Sequence, residues 1–168
     1  ILSITGPATY SSLPLMMPLF VFKLIDLSIK HGNPPESAFG YACFGMILCG
    51  VVGQIDLGYR FGELAMNVLE RFNPEAQKAR TIFAVHCFVR HWKEHPRESS
   101  KAFMKAYQIG LETGAFDFAA ISAFMHVRDL CYMGEELEVI KQQASSYHDA
   151  IAPLGQETYL HHNDIVWQ

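Results

Sequence analysis

Charge is scarce in this sequence, and basic charge most of all: 18% of its 168 residues are Asp, Glu, Lys or Arg, and 17 acidic residues outnumber 13 basic ones for a net charge of −4. No basic stripe or cluster offers a footprint for a phosphate backbone, which argues against nucleic acid as a partner. Cysteine is also sparse. Cys43, Cys49, Cys87 and Cys131 show no C-x-x-C spacing and lie in apolar stretches, where free cysteine behaves as a small hydrophobe and the expected compartment is reducing. Phosphate-loop and dinucleotide glycine patterns are missing, so nucleotide chemistry is not visible in this segment. The start at Ile1 lacks the basic head and cleavage site of a signal peptide, and the chain reads as a piece of a longer cytoplasmic protein.

Long uncharged runs are equally rare. One such run extends from Ser37 to Ile55 and only just reaches the roughly 18 to 20 residues a membrane span needs. Gly40, Gly45, Gly50 and Gly53 punctuate it, no two of them four apart, so the G-x-x-x-G pattern of membrane dimers is missing from this run. It reads as a buried soluble helix whose glycines let neighbours approach its backbone. A second apolar stretch, Leu13–Ile29, is broken by Pro14 and Pro18 and charged by Lys23 and Asp26, which suits an amphipathic or buried helix.

What is abundant is helix punctuation at nearly even intervals. Gly32-Asn33-Pro34, Gly53, Asn73-Pro74, His95-Pro96, Gly114, Gly134 and Gly155 fall about twenty residues apart. Asn33 and Asn73 are expected as N-caps ahead of a first-turn proline, and Gly32 and Gly114 as left-handed helix ends. Seven helices and the start of an eighth follow, with no strands. A shift of 41 residues superposes Ala38 on Ala79 on Ala120, Ala65 on Ala106, and Phe83 on Phe124. The expected fold is therefore all-α, with two-helix repeats of about 41 residues stacked as a tetratricopeptide-like α-solenoid over a single domain, 1–168. Middle helices such as "FDFAAISAFMHV" are apolar on more than one face. Outer ones carry charge on one side and Phe103, Ala106, Ile109 or Leu137, Ile140, Ala144 on the other.

Chemistry-bearing patterns are few. His91 and His95 are four apart with His86 behind them, but His95 precedes Pro96 at a helix end and no third ligand is placed, so no metal is expected. Cys87 adjoins His86, but neighbours on a helix diverge by about 100°. There is no nucleophile elbow, and Glu135-Glu136 reads as a helix N-terminal turn. A polar and aromatic set remains on the apolar helices: Tyr41, Arg80, His86, Arg90, Trp92, His126, Arg128, Asp129 and Tyr132. Two readings stand for it, a partner-binding groove and side chains that satisfy one another or solvent at helix edges.

The stretches "HGNPPESAFGYACFGMILCGVVGQIDLGYRFGELAMNVLERFN", "KARTIFAVHCFVRHWKEHPRES", "AYQIGLETGAFDFAAISAF" and "QETYLHHNDIVWQ" closely resemble the helical region of large ATP-binding sensor histidine kinases, many of them cyanobacterial. In that family a serine/threonine-kinase-like domain and an AAA-like ATPase precede a tetratricopeptide-like region, and a GAF domain and a histidine kinase follow. The resemblance implies a helical arm, similar to that of maltose-regulator-type activators, which couples a signal to the state of the ATPase. It carries over no catalytic residue, and "KEHPRE" at 93–98 is not a phosphorylation box because its histidine is followed by proline. The expected role is a non-enzymatic scaffold without cofactors, binding neighbouring domains or another signalling protein. The alternative is a small-molecule sensor that holds an apolar ligand between helix 38–53 and its neighbours, lined by Met46.

Overall fold

The structure, a computed structural model, describes residues 14–167. The reading of the first thirteen residues lies outside them. Among the described residues are eight α-helices and no strand: α1 (Met17–His31), α2 (Ser37–Ile47), α3 (Ile55–Phe72), α4 (Glu75–Phe88), α5 (Pro96–Thr113), α6 (Phe116–Met133), α7 (Leu137–Ile151) and α8 (Glu157–Trp167). They fall into two units that divide between Trp92 and Lys93.

In the first unit α2 packs against α1, α3 and α4, and α3 packs against α4. That placement explains the uncharged run. With partners on three sides, Ala38, Phe39, Tyr41, Ala42, Cys43 and Ile47 are all buried, and a charge at any of these positions would lose its hydration without a partner. Two of the four glycines serve as expected: a Cβ on Gly40 would touch Leu24 at 3.4 Å, and one on Gly45 would lie 2.9 Å from the Gly58 carbonyl oxygen. Gly50 has open space around it, and Gly53 closes the segment in the left-handed region at φ 77°. The helix also loosens earlier than expected, into a π-helical turn over Leu48–Val52. The carbonyl of Leu48 accepts from the amides of both Gly53 and Gln54, which satisfies a group that a helix end would otherwise leave bare.

α3 is strongly two-sided. Gly58, Gly62, Ala65, Val68 and Leu69 are buried, while Asp56, Arg60, Glu63, Asn67 and Glu70 face water. Gly58 and Gly62, four apart, form a smooth strip: Cys49 and Gly45 close over the first and Val85 and Val89 over the second. Asp56 in the first turn and Arg71 in the last complement the helix dipole.

In the second unit α6 holds the central place, against α5, α7 and α8, and α7 packs on α8. Ala120, Ala123, Val127 and Leu130 of α6 meet Ile140, Ala144, Tyr147 and Ile151 of α7, with Tyr159 and Leu160 of α8 against them. The α5–α6 approach is close at Gly110, where a Cβ would lie 2.9 Å from both Cβ and N of Ala119. Buried Asn163 of α8 donates its side-chain amide to the Ala144 carbonyl at 2.6 Å, and His148 and Asp164 meet at 2.6 Å to tie the same two helices.

Two expected caps behave differently. Asn73 does not open α4; it closes α3 in the left-handed conformation, φ 48°, its amide bonded to the Leu69 carbonyl at 2.8 Å. Asparagine tolerates that region, and Pro74 then becomes the N-cap of α4. Asn33 is no cap either, since α2 starts only at Ser37 with Glu36 as N-cap. His95-Pro96 does open a helix: the His95 imidazole accepts from the Arg97 amide at 3.2 Å, with Pro96 in the first turn. Leu137 is exposed rather than core-facing, because it is the first residue of α7 and the buried row begins at Ile140.

The 41-residue shift recurs in burial. Ala38, Ala79 and Ala120 are almost fully enclosed, as are Ala65 and Ala106, whereas Phe124 is less buried than Phe83. On alternate helices the enclosed rows are Met17, Val21, Leu24, Ser28; Gly58, Gly62, Ala65, Leu69; Ser99, Phe103, Ala106, Gly110; and Ile140, Ala144, Tyr147, Ile151. Each row is the previous one moved by 41, and all but Leu24 are buried.

Candidate functional site

The nine sequence-picked residues divide between the units. Tyr41, Arg80, His86, Arg90 and Trp92 belong to the first, and His126, Arg128, Asp129 and Tyr132 to the second. Tyr41, His86, His126 and Asp129 are buried, Arg80, Arg90 and Arg128 are partly buried, and only Trp92 and Tyr132 are open to solvent.

In the first unit Tyr41 is a structural link. Its hydroxyl donates to Asn33 Oδ1 at 2.6 Å, and burial, partly offset by Ser28, raises its pKa. Its ring begins an aromatic chain through Phe61 and Phe44 to Phe22, with centroids 6.1, 4.7 and 6.0 Å apart, which joins α3, α2 and α1. Arg80 of α4 lies over the Phe39 ring at 5.9 Å, so its guanidinium has an aromatic neighbour without leaving water entirely. Trp92, in the short turn Arg90–Trp92, tilts against His91 at 5.1 Å.

The second unit holds a tighter constellation on α6. Arg128 donates to Asp129 Oδ1 from Nη2 at 2.8 Å and from Nε at 3.2 Å, and its guanidinium lies 5.5 Å from the centre of the Tyr132 ring. The buried carboxylate thus fixes a partly buried cation, and the cation lies against a ring that is itself 74% exposed. Arg and Tyr held rigid at a surface are the residue types that dominate binding hot spots. One turn back, His126 Nδ1 meets the Ser100 hydroxyl at 2.8 Å, and its ring stands edge-on to Tyr147 at 5.9 Å, which in turn meets Tyr107 at 4.9 Å. Burial lowers the His126 pKa, against the opposing pull of Ser100 and Asp129. Burial, with Tyr107 adding to it, pushes Tyr147 up to about 12. Serine and imidazole are in nucleophile–base contact, but both are buried, and their bond ties α5 to α6.

Sequence reasoning missed Ser100, Tyr107 and Tyr147. The signal was available: α5 and α6 form an antiparallel hairpin about Gly114, which brings residues nearly equidistant from that turn, such as Ser100 and His126, face to face. Among the described residues no group of three His, Cys, Asp or Glu side chains is placed to hold a metal, and no helix is long and apolar enough to cross a membrane.

No family model and no solved structure matches the chain. Among curated proteins it is similar to the hybrid signal transduction histidine kinase G of Dictyostelium discoideum, 22% identical over 152 residues. The match covers 88% of this chain and 4% of that protein's length. The likeness is thus to a short stretch of a very long signal-transduction kinase.

Proposed function

We propose that the chain is a non-catalytic, cytoplasmic interaction and signal-coupling arm of a multidomain signalling kinase with an associated ATPase, built from two-helix repeats in the tetratricopeptide manner. The observation that carries this reading is the likeness to a signal transduction histidine kinase along 88% of the chain. Two features of the fold support it. The burial rows repeat every 41 residues on alternate helices. Within each unit a central helix touches the next two helices in sequence, α2 with α3 and α4, α6 with α7 and α8, as helix-pair repeats do.

Binding would centre on the Arg128–Tyr132 ledge, with Asp129 as its anchor. Coupling follows if this surface contacts one state of a neighbouring domain better than another. The test is calorimetric titration of the chain with the domains encoded on either side of it in the parent gene. Tyr132→Ala removes an exposed ring without opening the core and is expected to cost 1 kcal/mol or more of binding, about fivefold or more in affinity, with no change in melting temperature. Unchanged affinity in Tyr132→Ala, or no binding of any neighbour by the wild-type chain, would sink the assignment.

A further inference from the structure

The outer face of α1 departs from that of its repeat equivalent. On α3 the solvent side reads Asp56, Arg60, Glu63, Asn67 and Glu70, all exposed. Moved back by 41 residues, the same positions are Leu15, Leu19, Phe22, Asp26 and Ile29. Four of these five are large and apolar, and they are 91%, 61%, 49% and 75% exposed, Phe22 turning one edge to Phe44 and the rest of its ring outward. Leu19, Phe22, Asp26 and Ile29, spaced three, four and three residues, form a stripe about 15 Å long on α1, the pattern of a helix-pairing seam, and Leu15 precedes it in the short turn Pro14–Met16. α3 has α2 and α4 packed against it, and the equivalent side still faces water.

Charge beside the stripe selects the occupant. Lys23 and Lys30 follow Phe22 and Ile29 by one position and so share one edge of the stripe; both pair with a single carboxylate, Asp26, at 3.7 and 2.9 Å. Hydrogen bonding from Lys30 holds that carboxyl below its ordinary pKa. The edge therefore carries surplus positive charge in a chain whose net charge is −4. A second copy fits poorly: antiparallel pairing sets lysine edge on lysine edge, and parallel pairing sets Asp26 on Asp26. An anionic bilayer fits poorly too, since it would repel the chain as a whole and would have to accept Asp26 in the middle of the apolar stripe. We infer that the outer face of α1 docks an amphipathic helix of a protein partner, with an apolar seam set against Leu15, Leu19, Phe22 and Ile29 and carboxylates along the edge that meets Lys23 and Lys30. This deepens the interaction reading above, on which it rests, by naming a second surface and the chemistry it takes.

The probe is a synthetic helical peptide of about three heptads with leucine at the seam positions and glutamate on the flanks, beside a twin with lysine flanks. Fluorescence anisotropy against the full chain should show the glutamate peptide binding about tenfold or more tighter than its twin. Leu19→Glu should weaken binding by about tenfold or more while leaving the melting temperature unchanged, because the side chain is largely exposed. Lys23→Glu with Lys30→Glu should reverse the preference between the peptides. Equal binding of the two peptides, or binding that survives Leu19→Glu, overturns the inference. So does a dimer of the wild-type chain that Leu19→Glu dissolves, or flotation with phosphatidylglycerol vesicles. Peptide binding lost in Tyr132→Ala but kept in Leu19→Glu would overturn this face alone and leave the interaction reading standing.

Discussion

Replacing Gly58 by alanine sets two opposed effects against each other. Gly58 lies inside α3 with ordinary helical backbone, so propensity alone favours alanine by about 1 kcal/mol. The added Cβ would land on the Cys49 sulfur, 2.9 Å from the Gly45 carbonyl oxygen and 3.1 Å from the Cys49 amide nitrogen. A thiol can rotate away, but the Gly45 carbonyl in α2 and the Cys49 amide in the π-helical turn that continues it move only if that backbone moves. Overpacking costs about 1–3 kcal/mol, and contact with two backbone atoms places this site near the upper end, for a net loss of about 2 kcal/mol after the propensity gain. In a chain of this length that lowers the melting temperature by about 4–8 °C. Thermal melts followed by circular dichroism measure it, with Gly50→Ala as the control. Gly50 is exposed, and a methyl group added there would meet nothing within 4 Å, so that variant should melt at or above the wild type. A Gly58→Ala protein that melts at or above the wild type would refute the close approach of α2 and α3.

His126 and Cys43 give two further tests. Because burial depresses the His126 pKa, the unfolded chain binds a proton that the folded chain refuses once pH falls below the ordinary value near 6.5. Its contribution is complete above that pH and is lost as pH falls toward the folded value. The urea midpoint should therefore drop between pH 7.5 and 5.5 and drop less in His126→Gln; an equal drop in both proteins would contradict the assignment. Burial pushes the Cys43 thiol up to about 12, whereas Cys131 is exposed. Iodoacetamide at pH 8 should modify Cys131 in the folded chain and reach Cys43 only in denaturant, and equal rates at the two sites would show that α2 is not enclosed.

Helix boundaries were legible where one residue's conformation decides them. Gly32, Gly53, Gly114, Gly134 and Gly155 all adopt positive φ, a region open to glycine whatever surrounds it. Asparagine before proline was ambiguous because Asn can accept a hydrogen bond as an N-cap or adopt the left-handed turn as a C-cap, and Asn73 takes the second role. The candidate residues were legible as a residue class but not as a site. A 3.6-residue period says which side chains share a face, not which face a neighbour covers, so Tyr41 and His126 went to the interior while Tyr132 stayed outside. The same limit hid the outer face of α1.

The 41-residue shift shows in burial rather than in residue identity. At one row position the residues are Met17, Gly58, Ser99 and Ile140, and at the next Val21, Gly62, Phe103 and Ala144, so identity at a shift of 41 is low even though every one of these positions is enclosed. Packing density accounts for the variation: a backbone that approaches closely, as at Gly58 and Gly62, needs no side chain, whereas a wider gap is filled by Phe103 or Tyr147. Volume is thus filled jointly by facing helices and not position by position, and for that reason little beyond the alanines and the Phe83–Phe124 pair stood out in the sequence. The outward positions carry no such constraint. They are free to be Arg60 and Glu63 on α3 and Leu19 and Ile29 on α1, and a surface that can vary from helix to helix without disturbing the core is where partner specificity can be written.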